Sequence, residues 1–121
     1  MSKILIADDE KDIVELLEMV LSSSGHEVLI ALNGENAIEI TKNKKPDIIF
    51  LDLCFPKPGI DGVETLKAIR EFDKDVKVVL TSGLDVKDGK YNEAQQLGVS
   101  KCLSKPINLS NIKAIISELS K

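Results

Sequence analysis

Five short apolar runs alternate with stretches of helical periodicity along this chain. The runs cover residues 3–7, 26–31, 47–51, 76–80 and 99–103. Continuous apolar runs such as Ile48-Ile49-Phe50-Leu51 are typical of strands buried on both faces in a parallel sheet. The pattern predicts five βα units in a row, joined by right-handed crossovers into one α/β sandwich.

The stretches between these runs predict helices. We place the helices at residues 10–24, 35–44, 62–72, 86–97 and 108–120. Gly25 supplies a stop for the first helix, and Asp61 with Glu64 forms a capping-box pair at the start of the third. The fourth is the weakest, because it holds few apolar residues and contains Gly89, which costs about 1 kcal/mol relative to alanine.

The order of the strands decides which side chains meet. Five βα units fit the flavodoxin-like (βα)5 doubly wound fold with strand order 2-1-3-4-5, in which ligands bind where the winding reverses, between the first and third strands. Asp8 and Asp9 follow the first run, and Asp52 follows the third. Three carboxylates are therefore expected at one edge of the sheet. Such crowding is costly unless a cation joins them or one takes up a proton.

Composition excludes several classes of function. The chain has 121 residues, enough for one domain over residues 1–121, and its formal charge is −4. An excess of acids argues against direct nucleic-acid binding, because phosphate backbones are bound by an excess of Lys and Arg. No apolar stretch approaches the ~20 residues of a membrane span, and no signal peptide is apparent. We expect a cytoplasmic domain whose two cysteines, Cys54 and Cys102, remain free thiols.

The ends of the last two strands add a hydroxyl and an ammonium group to the same edge. Thr81 follows the fourth run and Lys105 follows the fifth. The acids suit a hard cation such as Mg²⁺, and the other two groups suit the oxygens of a phosphoryl group. A carboxylate beside bound Mg²⁺ can attack phosphorus and form an acyl phosphate, while metal and lysine spread the charge of the transition state.

Each of these residues lies at the end of its strand. Their order along the chain resembles that of the site residues in the receiver domain of two-component response regulators. The resemblance covers the full length of the chain and implies that Asp52 is the phosphoacceptor. It also implies a Mg²⁺ site formed by Asp8, Asp9, Asp52 and the backbone carbonyl of Cys54.

The same resemblance assigns the remaining strand ends. Thr81 is the hydroxyl that turns toward the phosphoryl group, Lys105 is its charge partner, and the Lys105–Pro106 peptide bond is expected to be cis. Cys102 stands three positions before the lysine, where the family usually has an aromatic residue. The usual coupling of the hydroxyl to a moving aromatic ring is therefore not expected in this chain.

The resemblance further implies a signalling switch that promotes its own phosphorylation and dephosphorylation, not an enzyme in the ordinary sense. Its partner would be a histidine kinase or a phosphotransfer protein, with Mg²⁺ as cofactor. The predicted core stripe of the first helix consists of Ile13, Leu16, Leu17, Val20 and Leu21. Val14 and Met19, beside this stripe, are candidates for docking that donor. Both a stand-alone domain and a fragment of a longer regulator are compatible with the sequence, and for a stand-alone domain the readout is expected to be a protein surface around the last two helices.

Three other functions are compatible with parts of the pattern. A degenerate receiver would bind partners without phosphorylation; Cys102 favours it, whereas the intact acids and lysine oppose it. A haloacid-dehalogenase-like phosphatase also uses a strand-end aspartate, Mg²⁺ and a lysine, but its D-x-D pattern is replaced by Asp8-Asp9-Glu10-Lys11. A flavin-binding module would need a phosphate-cradling loop after the first strand, where the acids would repel the phosphate.

Overall fold

Strands and helices alternate along the chain as the sequence predicts. The structure, a computed structural model, describes residues 2–53, 59–82, 89–104 and 108–119. The strands are β1 Lys3–Ala7, β2 Glu27–Ala31, β3 Ile48–Asp52, β4 Lys77–Ser82 and β5 Lys101–Ser104. The helices are α1 Lys11–Ser23, α2 Gly34–Lys44, α3 Gly62–Phe72, α4 Gly89–Gln96 and α5 Leu109–Leu119. Among these described helices none is long and apolar enough to cross a membrane.

The five strands pair in parallel in the order β2-β1-β3-β4-β5. This order confirms the predicted flavodoxin-like sandwich. The winding reverses between β1 and β3, where Ala7 pairs with Leu51. The two strands therefore end side by side, at the point where folds of this class bind their ligands.

The core lies on both faces of the sheet, because alternate residues of a strand point to opposite sides. Ile4 and Ile6 of β1 pack with buried residues of α1 and α5. Leu5 and Ala7 pack with buried residues of α2, α3 and α4. The central strand β3 is buried along its whole length, which explains its continuous apolar sequence.

Local signals at the helix ends are confirmed where the structure describes them. The Asp61 carboxylate accepts from the backbone N–H of Glu64 at 2.9 Å, and the Glu64 carboxylate accepts from the N–H of Asp61 at 3.2 Å. Gly25 follows α1 with a φ of 88°, the left-handed conformation that commonly ends helices. Gly89 is the first described residue of α4, and the predicted helical residues 86–88 lie outside the described ranges.

The buried stripe of α1 differs from the predicted one. Val14, predicted to be surplus surface, is buried in the core at 6% exposure, whereas Met19 is 62% exposed. Ile13 and Leu16, predicted to face the core, are only half-buried at its edge. The face of α1 that contacts the sheet is therefore rotated about the helix axis relative to the predicted face. Of the two docking candidates, only Met19 lies on the surface.

A single arginine side chain joins the end of α4 to the start of β4. Arg70 donates from Nε to the carbonyl of Leu97 at 2.9 Å and from Nη2 to that of Gly98 at 2.5 Å. Its Nη1 donates to the carbonyls of Val76 at 2.8 Å and Asp73 at 3.2 Å. Burial lowers the pKa of this guanidinium, and neighbouring acids act in the opposite direction. The group still stays charged at neutral pH, so it provides charged donors to four carbonyls.

Arg70→Ala is expected to lower the free energy of unfolding by about 2 kcal/mol, because several half-buried carbonyls lose a charged donor together. Urea denaturation followed by circular dichroism measures the loss. Lys74→Ala removes an exposed cation nearby and should change the value by no more than about 0.5 kcal/mol. Equal losses in the two variants would mean that water satisfies the carbonyls as well as Arg70 does.

Candidate metal centre

Two buried carboxylates lie at the carboxyl edge of the sheet, where β1 and β3 end. Asp52 is the last residue of β3, and Asp8 directly follows β1. Their exposures are 3% and 2%. The backbone N–H of Asp8 donates to the carbonyl of Ala31 on β2 at 3.1 Å, which holds the start of the loop against the sheet. Sequence reasoning therefore predicted the meeting of these two residues correctly.

A third carboxylate joins them, and it comes from Glu10. One oxygen each of Asp8, Glu10 and Asp52 lies within 4.8 Å of the other two, and Glu10 is the exposed member of the group. Oxygens that share one Mg²⁺ at about 2.0–2.1 Å stand at most about 4.2 Å apart. Small side-chain movements would therefore bring the three oxygens onto one ion. Carboxylates are the hard oxygen ligands that Mg²⁺ prefers, so this donor set fits the ion.

The path of the chain after β1 explains why Glu10 reaches this group. The Asp8 Oδ1 accepts from the backbone N–H of Glu10 at 2.9 Å, a local bond that turns the chain between the strand and the helix. Glu10 precedes α1 with an extended backbone, and its side chain does not cap the helix. Asp9, between them, is exposed and is not in the group of three. Its role as a metal ligand stays a prediction.

Thr81 lies beside the acids on the next strand. It is 1% exposed, it pairs with Asp52 across β3 and β4, and its carbonyl accepts from the backbone N–H of Leu53 at 3.0 Å. The hydroxyl thus comes from the neighbouring strand at the level of Asp52. This placement agrees with the position expected of it, while its role in binding a phosphoryl group stays a prediction.

Three of the predicted site residues lie outside the described ranges: Cys54, Lys105 and Pro106. Their assignments as carbonyl ligand, charge partner and cis peptide therefore stay predictions. Cys102, on the edge strand β5, is exposed and carries a free thiol, as predicted. The Nε2 of Gln95 on α4 lies 4.0 Å from its Sγ, so the position where the family usually has an aromatic ring borders α4.

Sequence reasoning missed how closely α3 approaches the strand that carries Asp52. The N–H of Gly62, the first residue of α3, donates to the carbonyl of Leu53 at 2.9 Å. A Cβ atom on Gly62 would lie 2.1 Å from the carbonyl oxygen of Asp52 and 2.6 Å from the Cα of Leu53. Only a glycine fits there. The signal for it in the sequence is the glycine that directly follows the capping Asp61.

Comparison with known proteins agrees with this architecture. The family model for the response regulator receiver domain matches residues 4–117. Sporulation initiation phosphotransferase F of Bacillus subtilis (strain 168) is 31% identical over 116 residues, which are 96% of this chain and 91% of that protein. The alkaline phosphatase synthesis transcriptional regulatory protein PhoP of the same strain is 33% identical over 119 residues, which are 97% of this chain and 48% of that longer protein.

Solved structures show the same fold. The receiver domain of NtrX from Brucella abortus superposes with a TM-score of 0.87 at 26% identity, over 97% of both chains. A CheY-like response regulator receiver domain protein from Methanospirillum hungatei JF-1 gives 0.89 at 21% identity, over 99% of this chain and 94% of that one. With the family model matching nearly the whole sequence, this chain belongs to the response regulator receiver domain family of two-component systems.

Proposed function

We propose that this chain is a phosphorylation-dependent signalling switch that accepts a phosphoryl group on Asp52. The donor is the phosphohistidine of a histidine kinase or phosphotransfer protein, and Mg²⁺ is the cofactor. The observation that supports this most is the burial of Asp52 at one sheet edge together with the carboxylates of Asp8 and Glu10. We expect the switch to act in the cytoplasm on a downstream protein, without contacting nucleic acid or membrane itself.

The transfer is a simple displacement at phosphorus. A carboxylate oxygen of Asp52 forms the new P–O bond, the P–N bond to the donor imidazole breaks, and the imidazole leaves as a neutral ring after taking up a proton. Bound Mg²⁺ would neutralise the negative oxygens that gather in the transition state. Asp8 and Asp52 would hold the ion, together with Asp9 and the Cys54 carbonyl predicted from the family.

Thr81 and Lys105 would detect the product. Phosphorylation replaces one carboxylate charge with a group that carries about −1.5 to −2 and several acceptor oxygens. Thr81 lies next to Asp52 in the sheet, so its hydroxyl can turn to donate to one of those oxygens. Lys105 would supply the opposite charge. A difference in these contacts between the two states is what shifts the conformational equilibrium.

Labelling with a small-molecule donor tests the proposal. We expect acetyl phosphate with Mg²⁺ to add one labile phosphoryl group, detected by intact-protein mass spectrometry, and EDTA to prevent the addition. Asp52→Asn should abolish the adduct, because the amide is not a nucleophile of comparable strength. Asp75→Asn, which removes an exposed carboxylate at the opposite edge of the sheet, should leave the adduct unchanged.

The other outcomes separate the alternatives. An adduct that persists in Asp52→Asn would contradict the assignment of the phosphoacceptor. Failure of the wild-type protein to be labelled by acetyl phosphate or by phosphohistidine donors would favour a degenerate receiver. Repeated turnover of many phosphate esters would favour a phosphatase of the haloacid dehalogenase type.

A further inference from the structure

The carboxylate of Glu10 lies beside two buried acids instead of capping its own helix. Residues that precede a helix commonly accept from its first free N–H groups, but the side chain of Glu10 does not do so. Its carboxylate instead lies in the group with Asp8 and Asp52. The bond from its N–H to the Asp8 Oδ1 fixes its backbone relative to the buried acid.

We propose that Glu10 is a third carboxylate ligand of the metal centre and raises its affinity for divalent cations, for Ca²⁺ more than for Mg²⁺. This inference rests on the metal site of the proposed function and adds a residue that the family pattern of Asp8 and Asp9 does not name. Its basis is the position of one oxygen of Glu10 within 4.8 Å of an oxygen from each buried aspartate.

The expected selectivity follows from the coordination chemistry of the two ions. Mg²⁺ keeps several waters and is usually held by one or two carboxylates at about 2.0–2.1 Å, whereas Ca²⁺ takes six to eight oxygens at about 2.3–2.6 Å. Oxygens on opposite sides of Ca²⁺ therefore stand about 4.6–5.2 Å apart. The oxygens of the group of three lie within 4.8 Å of one another, which suits either ion, so the expected preference comes from the larger number of oxygens that Ca²⁺ takes. A third carboxylate should consequently help the larger ion more.

The start of α1 reduces the repulsion that a third negative charge brings. Backbone N–H groups at the first turn of a helix give that end a partial positive charge, and Glu10 directly precedes Lys11, the first residue of α1. Glu10 is also exposed, so water screens its charge better than those of the two buried acids. The group can therefore include Glu10 before an ion arrives.

Cation titration of the unphosphorylated protein tests the inference. Isothermal titration calorimetry with MgCl₂ and with CaCl₂ should show that Glu10→Gln weakens Ca²⁺ binding about tenfold or more, a typical effect of losing a group at a metal site, and weakens Mg²⁺ binding less. Thermal unfolding at increasing concentrations of each salt gives an independent measure, because a ligand that binds only the folded state raises the melting temperature.

Asp12→Asn is the matched control. Asp12 is an exposed acid in the first turn of α1 and is not in the group of three, so its loss reports the effect of net charge alone. Equal changes in the two variants would overturn the assignment of Glu10 as a ligand. An equal loss of affinity for both ions in Glu10→Gln would overturn the selectivity.

The same experiments, combined with the labelling assay, can contradict this inference without contradicting the proposed function, and the reverse. Cation binding that depends on Glu10, in a protein that neither acetyl phosphate nor a phosphohistidine donor labels, would support the ligand assignment and contradict the switch. Normal labelling on Asp52 with cation binding unchanged in Glu10→Gln would contradict the ligand assignment and support the switch.

Discussion

Gly62→Ala is expected to destabilise the protein by about 3 kcal/mol or more, because the added methyl group overpacks a rigid part of the structure. The new Cβ would lie 2.1 Å from the carbonyl oxygen of Asp52, 2.6 Å from the Cα of Leu53 and 2.7 Å from the Leu53 carbonyl oxygen. All three atoms belong to the backbone of the strand end and cannot rotate away. Helix propensity alone predicts the opposite sign, since alanine is favoured over glycine in helices by about 1 kcal/mol.

Gly34→Ala is the comparison that isolates the backbone contact. Gly34 is also the first residue of its helix, α2, and a Cβ there would meet the Oγ1 of Thr65 at 2.2 Å and the Cγ1 of Ile60 at 2.6 Å. These are side-chain atoms that can adjust, so the loss should be smaller than in Gly62→Ala. Urea denaturation of both variants measures the difference. A loss in Gly62→Ala that does not exceed the other would show that α3 shifts easily away from Asp52.

Much of the fold followed from the sequence, because buried parallel strands leave a simple pattern. Continuous apolar runs identified the strands, and a run of βα units permits few topologies once crossovers are right-handed. The bounds of α3 were predicted at both ends. There the capping pair of Asp61 and Glu64 fixes the start, a local interaction that depends on no distant contact. The strand order then placed Asp8 and Asp52 together without any knowledge of side-chain positions.

The composition of the acidic group could not be predicted, because three acids in succession follow β1. Topology indicates that the end of β1 reaches the edge of the sheet, but the local turn decides which carboxylates point inward. The bond between the Asp8 Oδ1 and the N–H of Glu10 sets that turn. Asp9 has the same residue type as Asp8 and a different environment, exposed instead of buried.

Packing against distant segments could also not be predicted from a local sequence pattern. The apolar residues of α1 are compatible with more than one orientation of the helix, and contact with the sheet selects the one that buries Val14. The contacts of Arg70 with Leu97 and Gly98 join residues far apart in sequence. No periodicity indicates them, because their acceptors are backbone carbonyls that every residue possesses.

Asp8→Asn is expected to stabilise the protein in EDTA by about 1–2 kcal/mol and to remove most of its response to Mg²⁺. Oxygens of Asp8 and Asp52 lie within 4.8 Å of each other, where two unit charges repel by about 3 kcal/mol or more at an effective dielectric constant of about 20, and both residues are almost fully buried. Asparagine has nearly the same shape and keeps the Oδ1 that accepts from the N–H of Glu10. The substitution therefore removes repulsion without removing the turn.

Excess Mg²⁺ should make the wild type more stable than Asp8→Asn, which is the reverse of the order expected in EDTA. A cation that binds only the folded protein stabilises it by about 2.7 kcal/mol at a concentration 100 times its dissociation constant, and the wild type has the carboxylates to bind it. Urea denaturation in EDTA and in excess MgCl₂ compares the two proteins. Glu39→Gln removes one exposed charge from α2 and should have the same stability as the wild type in both conditions.

If Asp8→Asn were instead less stable than the wild type in EDTA, a fixed positive group would already compensate the buried acids. The site would then have no electrostatic need for a cation, and the reason for proposing Mg²⁺ from the crowded carboxylates would be lost.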